Sequence, residues 1–294
     1  MKKIIILGAE NSHADNFLSW IYNSLEFSGV QVIGIYSEED ISSLGAKYNV
    51  PIMQTLEDAV GQVDGVVITA RHGGKHYQYA KPYIKSGVPI YIDKPIAIDE
   101  REAICFMQEL QDLNVKICGG SICKHDAFVQ KLKIEHLQDT DGKTIGGFVR
   151  APLQPESVYG GFYFYAQHLV EIVCEIFGRY PLAVQAMKKN NTLQVFFRYE
   201  NFYINGLYVN DNYVYFASRQ AEGGMEAGSI FTQNSEECSK IEFGEYYDLL
   251  FGGEQKISYS DFISPVFIMN AIVRSLESGK EETINYQTYE AKEP

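Results

Sequence analysis

Lys94 follows an apolar run, Val88-Pro89-Ile90-Tyr91-Ile92-Asp93, and precedes Pro95. The run reads as a buried strand, so the lysine stands at a strand's carboxyl end, where open α/β sheets place their ligands. Far downstream comes Gly160-Gly161-Phe162-Tyr163-Phe164-Tyr165-Ala166-Gln167-His168-Leu169-Val170-Glu171. Tyr165, His168 and Glu171 are spaced by three and share one helix face. A lysine at a strand end and a histidine near the start of a distant helix are the parts of a proton-transfer site. In a partly dry cleft a lysine's pKa falls, so that it exchanges protons near neutrality, and its charge polarises a developing alkoxide or carbonyl. Histidine titrates in the right range unaided. Plainer readings stay open: Lys94 on the surface, and His168 hydrogen-bonded in the core of a helix packed on a sheet.

A second constellation lies near the N-terminus. Gly8-Ala9-Glu10-Asn11-Ser12-His13 follows the apolar run Ile4-Ile5-Ile6-Leu7 and opens a helical pattern. A dinucleotide fingerprint, Gly-x-Gly-x-x-Gly, belongs at such a place; its glycines give a tight turn, close approach to pyrophosphate and close helix–strand packing. Only the first is present. Glu10 stands at the second glycine and His13 at the third. A carboxylate at position 10 should hinder pyrophosphate by bulk and by charge. Ser12 with Asp15 reads as a capping box, which would leave the positive end of a helix dipole there, and His13 could add charge at low pH. The loop is therefore either a weakened dinucleotide site or one that binds none. After the second apolar run, Ser37-Glu38-Glu39-Asp40 could bond an adenosine ribose and would disfavour a 2′-phosphate, so NAD is expected over NADP if a nicotinamide cofactor binds. A plain helix start with Ser37 as cap accounts for these residues equally well.

Elements must position these groups. The first 120 residues alternate strand-like runs (Lys3–Leu7, Val30–Tyr36, Gly65–Thr69, Pro89–Ile92, Val115–Cys118) with helical patterns near 14–27, 40–48, 56–60, 75–86 and 99–113. The alternation predicts βαβ units in a parallel sheet covered on both faces. Beyond residue 120 come aromatic and β-branched runs, Leu193–Tyr199, Phe202–Val209 and Tyr213–Ala217, with short polar connectors. They read as an antiparallel meander, apolar on both faces, one against helices and the other a candidate subunit interface. Ser264–Ser278 reads as a helix. The expected fold is α/β: a Rossmann-like domain over residues 1–120, then an α+β domain with a mostly antiparallel sheet over residues 121–294, for substrate binding and oligomerisation.

Composition limits the partners. Of 294 residues, 46% are hydrophobic and 21% charged, which is globular. A net charge of −13 argues against nucleic acid or an anionic membrane as partner. No apolar stretch approaches the ~18 residues of a membrane span. Five cysteines without a Cys-x-x-Cys read as reduced thiols of a cytoplasmic protein. His72 and His76 are four apart, but Gly73-Gly74 disfavours a helix between them and no third ligand is assignable, so no metal is expected.

The order and spacing of Gly8, of Val63-Asp64-Gly65-Val66-Val67-Ile68-Thr69-Ala70-Arg71, of His76, Ser86-Gly87-Val88-Pro89 and Asp93-Lys94-Pro95-Ile96-Ala97, and then of His168, resemble the Gfo/Idh/MocA family of nicotinamide-dependent sugar and cyclitol oxidoreductases. The resemblance covers nearly the whole chain. It implies a hydride moved between a carbinol carbon and nicotinamide, which requires a proton to move at the carbinol oxygen. Carried over, Lys94 and His168 would be acid–base and orienting groups; Gly8, Glu10, Asn11, Ser12, His13 and Ser37 would face the cofactor's phosphates and ribose. Thr69, Ala70, Arg71 and His76 would line its nicotinamide side, beside Asp93, Lys94 and Pro95. The family usually has Glu-Lys-Pro where this chain has Asp93-Lys94-Pro95, and its Lys–Pro bond is often cis. Many members carry an aspartate one turn before the histidine, where this chain has Phe164; Tyr165 is then the candidate to replace a proton donor. The resemblance implies an NAD-dependent dehydrogenase acting on a sugar, inositol or related polyol, assembled as a homodimer or homotetramer through the second domain's sheet. Glu10 and Phe164 favour the alternative, a non-enzymatic metabolite sensor or accessory protein that keeps the fold without a dinucleotide.

Overall fold

Ile4, Ile5, Ile6 and Leu7 are all fully buried, as a strand covered on both faces must be. The fold was obtained as a computed structural model, which describes residues 1–231 and 235–286. The chain splits into two compact units, Met1–Gly120 with Lys240–Tyr259, and Ser121–Ser239 with the described residues from Ser260 on.

The first unit runs β1 (Lys2–Leu7), α1 (Ser12–Asn23), β2 (Val30–Tyr36), α2 (Ser42–Tyr48), β3 (Gly65–Ile68), α3 (His76–Ile84), β4 (Ile90–Asp93), α4 (Glu100–Asp112) and β5 (Ile117–Gly120). The strands form one five-stranded sheet in the order β2-β1-β3-β4-β5, all parallel. The connections run one way from β1 to β2 and the other way from β3 on, so the crevice outside the carboxyl ends of β1 and β3 is the topological switch point where such sheets take ligands. Asn11 and Asp99 cap α1 and α4 with side-chain oxygens. The pattern near 56–60 is a turn, not a helix: Asp58 takes the amides of Gln54 and Thr55 at 2.7 and 3.0 Å, which binds the segment as a local side-chain loop. The unit also takes in residues 240–259, most of α7 (Ser235–Leu250). Phe243 stacks on Phe17 at 4.6 Å, and the buried Glu242 accepts the Tyr91 hydroxyl at 2.9 Å.

The second unit contains α5 (Ala127–Leu137), β6 (Thr144–Leu153), α6 (Tyr163–Phe177), β7 (Ala183–Lys189), β8 (Thr192–Arg198), β9 (Tyr203–Asn210), β10 (Tyr215–Ala221), β11 (Met225–Ile230), α8 (Tyr259–Ser278) and β12 (Glu282–Thr283). Its seven strands run in the order β11-β10-β6-β9-β8-β7-β12. Strands β8 and β9 pair antiparallel as expected and β7 extends them on the other edge of β8, but β10, expected beside β9, does not pair with it. The long β6 lies between β9 and β10, parallel to β9 and antiparallel to β10, because both of its edges pair along nearly its full length. The sheet is thus mixed and mostly antiparallel. One face packs on helices: Leu193, Val195 and Phe197 are buried, the Tyr208 hydroxyl donates to the Ala166 carbonyl of α6 at 2.7 Å, and the Ala186 amide donates to Ser275 of α8 at 2.9 Å. The opposite face leaves Phe148, Phe196, Leu207 and Phe216 half-buried. Helix α8 begins earlier than residue 264 and carries Pro265 in its interior. Among the described residues no helix is long and apolar enough to cross a membrane.

Candidate functional site

The loop after β1 starts with a glycine that no other residue can replace without strain. Gly8 has φ +77°, and a Cβ on it would lie 2.3 Å from the Ala70 backbone. The close approach is fixed from both sides: the Thr69 hydroxyl donates to the Gly8 carbonyl at 2.9 Å, and the Gly8 amide donates to Tyr36 O at 2.8 Å. Helix α1 starts one residue ahead of the expected Ser12–Asp15 box. Asn11 is its cap, accepting from the His13 amide at 3.1 Å, while its amide nitrogen donates to Asp93 at 3.0 Å. A serine hydroxyl could not serve both ends at once. Asp15 instead accepts from Lys47 Nζ at 2.7 Å and the Tyr48 hydroxyl at 2.8 Å, and Ser12 is exposed.

The residues in place of the other two glycines have definite partners. Glu10 accepts from the Ser37 hydroxyl at 2.7 Å and from the Arg71 amide at 3.1 Å, so its carboxylate is tied to the chain just past β2 and just past β3. His13 Nδ1 donates to Asp93 Oδ2 at 2.7 Å. Asp93 is fully buried at the end of β4 and also takes the Lys94 amide at 2.7 Å. Burial works against its charge, but His13, Lys94 and the Lys94 amide outweigh that and hold the carboxyl below its ordinary value of 3.8. The carboxylate at the end of β4 and the imidazole at the start of α1 therefore bind the two elements together.

Lys94 is itself buried, 6% exposed, at the carboxyl end of β4, and the Lys94–Pro95 peptide is cis. Pro95 lies so close to Gly73 that a Cβ there would stand 2.5 Å from the Pro95 carbonyl oxygen. His76 is fully buried, with Nε2 at 2.7 Å from Ala70 O and Nδ1 at 3.2 Å from Ile96 O. Burial keeps it below the usual histidine range. It holds the loop after β3 to the chain after β4 and offers no surface to a ligand. Thr69 and Ala70 are likewise buried, while Arg71 is half-exposed. His72 accepts the Gly74 amide at 3.1 Å, so the two histidines serve separate backbone groups.

Beside α1's first turn lies a cavity of about 350 Å³, lined by Glu10, Asn11, Ser12, Asp40, Lys47 and Arg71 among others. Ser37 is not a cap for α2, which begins at Ser42. Glu38 does not face the cavity: Lys75 at 2.7 Å and the Tyr79 hydroxyl at 3.1 Å take its two oxygens, and the Lys75 bond leads in holding its carboxyl below the ordinary value. A helix N-terminus, two cations and an acceptor already aligned by Ser37 fit the anionic and ribose groups of a dinucleotide. Glu10 narrows that fit without filling the cavity.

In the second unit, α6 carries Tyr165 and His168 on one face, their rings edge to face at 5.3 Å. Tyr215 meets the same imidazole edge to face at 5.9 Å. Glu171 shares the spacing but serves the core: it pairs with Arg179 at 3.0 Å and accepts from Gln167 at 3.3 Å. A partner of His168 that sequence reasoning missed is Ser121, whose Oγ lies 2.8 Å from Nδ1. The available signal was its position, directly after the Gly119-Gly120 end of β5.

A parallel sheet with a glycine turn after β1 and a lysine at the end of β4, followed by a mixed-sheet unit, defines a two-unit α/β protein of Rossmann type. Residues 2–120 match the model of the oxidoreductase family with an NAD-binding Rossmann fold, Gfo/Idh/MocA. Oxidoreductase P35 of Formosa agariphila is 25% identical over 179 residues, 53% of this chain and 53% of that protein, so the match spans about half the relative's length. Among solved structures, a putative myo-inositol dehydrogenase from Sinorhizobium meliloti superposes with a TM-score of 0.82 at 15% identity, covering 97% of this chain and 100% of that one. Scyllo-inositol dehydrogenase from Lactobacillus casei, with bound NAD(H) and scyllo-inositol, gives 0.81 at 16% identity, covering 97% and 99%. At these identities the likeness to the solved structures is one of fold.

Proposed function

We propose that the chain is an NAD(H)-dependent oxidoreductase that interconverts a carbinol and a carbonyl on an inositol, sugar or related polyol. The observation that carries this reading is the buried Lys94 at the carboxyl end of β4, backed by the ionised Asp93. A bound nicotinamide would accept or donate the hydride. The chain's own residues do the rest. Gly8, Glu10, Asn11, Ser12, His13 and Ser37 would hold the pyrophosphate and adenosine ribose, with Arg71 also lining the cavity. Thr69, Ala70, His76, Asp93 and Pro95 fix the shape of the loops that the nicotinamide half meets. Lys94 moves the proton of the carbinol oxygen, and His168 orients that oxygen, with Tyr165 against its ring. Glu10, Asp15 and Asp40 outnumber Lys47 and Arg71 around the cavity, which favours NAD over NADP. That the solved structure with both ligands holds scyllo-inositol supports a polyhydroxylated substrate.

The half-buried apolar face of the second sheet supports a homodimer or homotetramer. Light scattering at micromolar concentration tests it; a species of only 33.3 kDa contradicts it. A second reading, a metabolite-binding protein without a dinucleotide, draws on Glu10, whose carboxylate stands at the cavity that pyrophosphate would enter. Incubation of the protein with NAD and a panel of inositols and sugars separates the two. Reduction of the cofactor by any of them supports the dehydrogenase; binding of a polyol with no turnover and no cofactor affinity supports the second reading.

A further inference from the structure

The Nδ1 edge of His168 is walled in by two buried side chains of the second unit. Ser121 Oγ lies 2.8 Å from it and Cys123 Sγ 3.4 Å. The Cys123 amide donates to Ser121 Oγ at 3.3 Å, which takes one of that oxygen's two lone pairs and leaves its hydrogen free to turn toward the ring. Burial pushes the Cys123 thiol far up, so the sulfur keeps its hydrogen and meets Nδ1 as an S–H group. Two hydrogen-bearing groups within reach of one ring nitrogen favour that nitrogen as an acceptor. A neutral imidazole has one N–H, which then sits on Nε2. The rings of Tyr165 and Tyr215, inclined at 66° and 85° to the imidazole, hold its plane.

We propose that Ser121 is a positioning residue that fixes His168 in the Nε2–H tautomer, so that the ring offers the substrate oxygen a hydrogen-bond donor and not a base. The proposal rests on the reading of His168 given above and sharpens it. In the oxidation direction the carbinol proton then leaves to a group other than His168, the role given to Lys94 above, while His168 holds the oxygen in place. The hydroxyl of Ser121 does from the end of β5 what an acid one turn before His168 would do from α6, and it does so without adding a charge.

Isotope-labelled histidine in the whole protein, read by proton–nitrogen correlation spectra without substrate or cofactor, reports the tautomer directly; His168→Gln assigns the signal. The expected result is His168 as Nε2–H, moved toward Nδ1–H in Ser121→Ala and unchanged in Ser121→Thr, which keeps the hydroxyl. With a turned-over polyol, Ser121→Ala should lower kcat by about tenfold or more, and Ser121→Thr should restore it. A wild-type His168 protonated on Nδ1 alone, or a tautomer that ignores Ser121→Ala, overturns the proposal. The spectra need no substrate, so they remain decisive if no polyol is turned over and the dehydrogenase reading itself fails.

Discussion

At the loop after β1, polar side chains stand where glycines were expected, and each has acquired a charged or polar partner. Glu10 takes a hydroxyl and an amide; His13 takes the buried Asp93, which Asn11 also bonds. Around His168 the substitution runs the other way. An acid is replaced by the neutral Ser121, Cys123, Tyr165 and Tyr215, and Glu171, which shares the helix spacing of Tyr165 and His168, is paired with Arg179. The first region gave up backbone freedom and gained a fixed electrostatic frame. The second gave up a charge and kept an orientation. A departure from a familiar motif therefore has to be read with its new partners: the loss of two glycines says less than where Glu10 and His13 point.

The comparison breaks most readily at Asp93. Asp93→Ala should cost about 3 kcal/mol in a urea unfolding curve, because it leaves His13 and Asn11 without their buried acceptor. Its counterpart in the second unit, Ser121→Ala, removes two neutral hydrogen bonds, one of them long, and should cost only about 1–2 kcal/mol. Equal losses would remove the contrast. Since the folded carboxyl of Asp93 ionises below its ordinary 3.8, the stability it contributes is complete above that pH and is lost as the pH falls through the folded value. Asp93→Asn should flatten that part of the acid-unfolding profile while leaving the neutral region parallel to wild type.

Next in size are the groups assigned to chemistry. Lys94→Ala should lower kcat by about 10²-fold with a polyol that is turned over. Tyr165→Phe keeps the ring against His168 and should cost little if the tyrosine only packs. A large loss with Tyr165→Phe would return the proton donor to α6 and weaken the case for Ser121. The smallest expected effect is at Glu10. Glu10→Gln keeps the size and removes the charge, so the preference for NAD over NADP should narrow by roughly threefold in a competition titration. No change there would mean that the carboxylate is too far from the ribose to be felt.

Much of the first sheet was legible because its strands are continuous apolar runs, and burial on both faces writes that pattern into the sequence itself. Lys94 was legible for the same reason, as the first charge allowed to follow such a run and Asp93. What escaped notice depends on residues distant along the chain. Nothing in Thr144–Leu153 announces that it will part β9 from β10, since local alternation fixes a strand but not its neighbours. The return of residues 240–259 to the first unit rests on Phe243 against Phe17 and Glu242 on Tyr91, pairs whose spacing carries no local signal. The cap at Asn11 was hidden because Ser12 is as good a cap in isolation, and only the reach to Asp93 decides between them. Ser121 was overlooked because a serine after two glycines looks like the end of a strand until His168 is brought to it.

The central claim is that a loop without its second and third glycines still holds a dinucleotide, and the most direct test is a calorimetric titration of the wild-type protein with NADH and, separately, NADPH. The account predicts saturable binding of NADH, tighter than that of NADPH. Binding of neither, or tighter binding of NADPH, would contradict it.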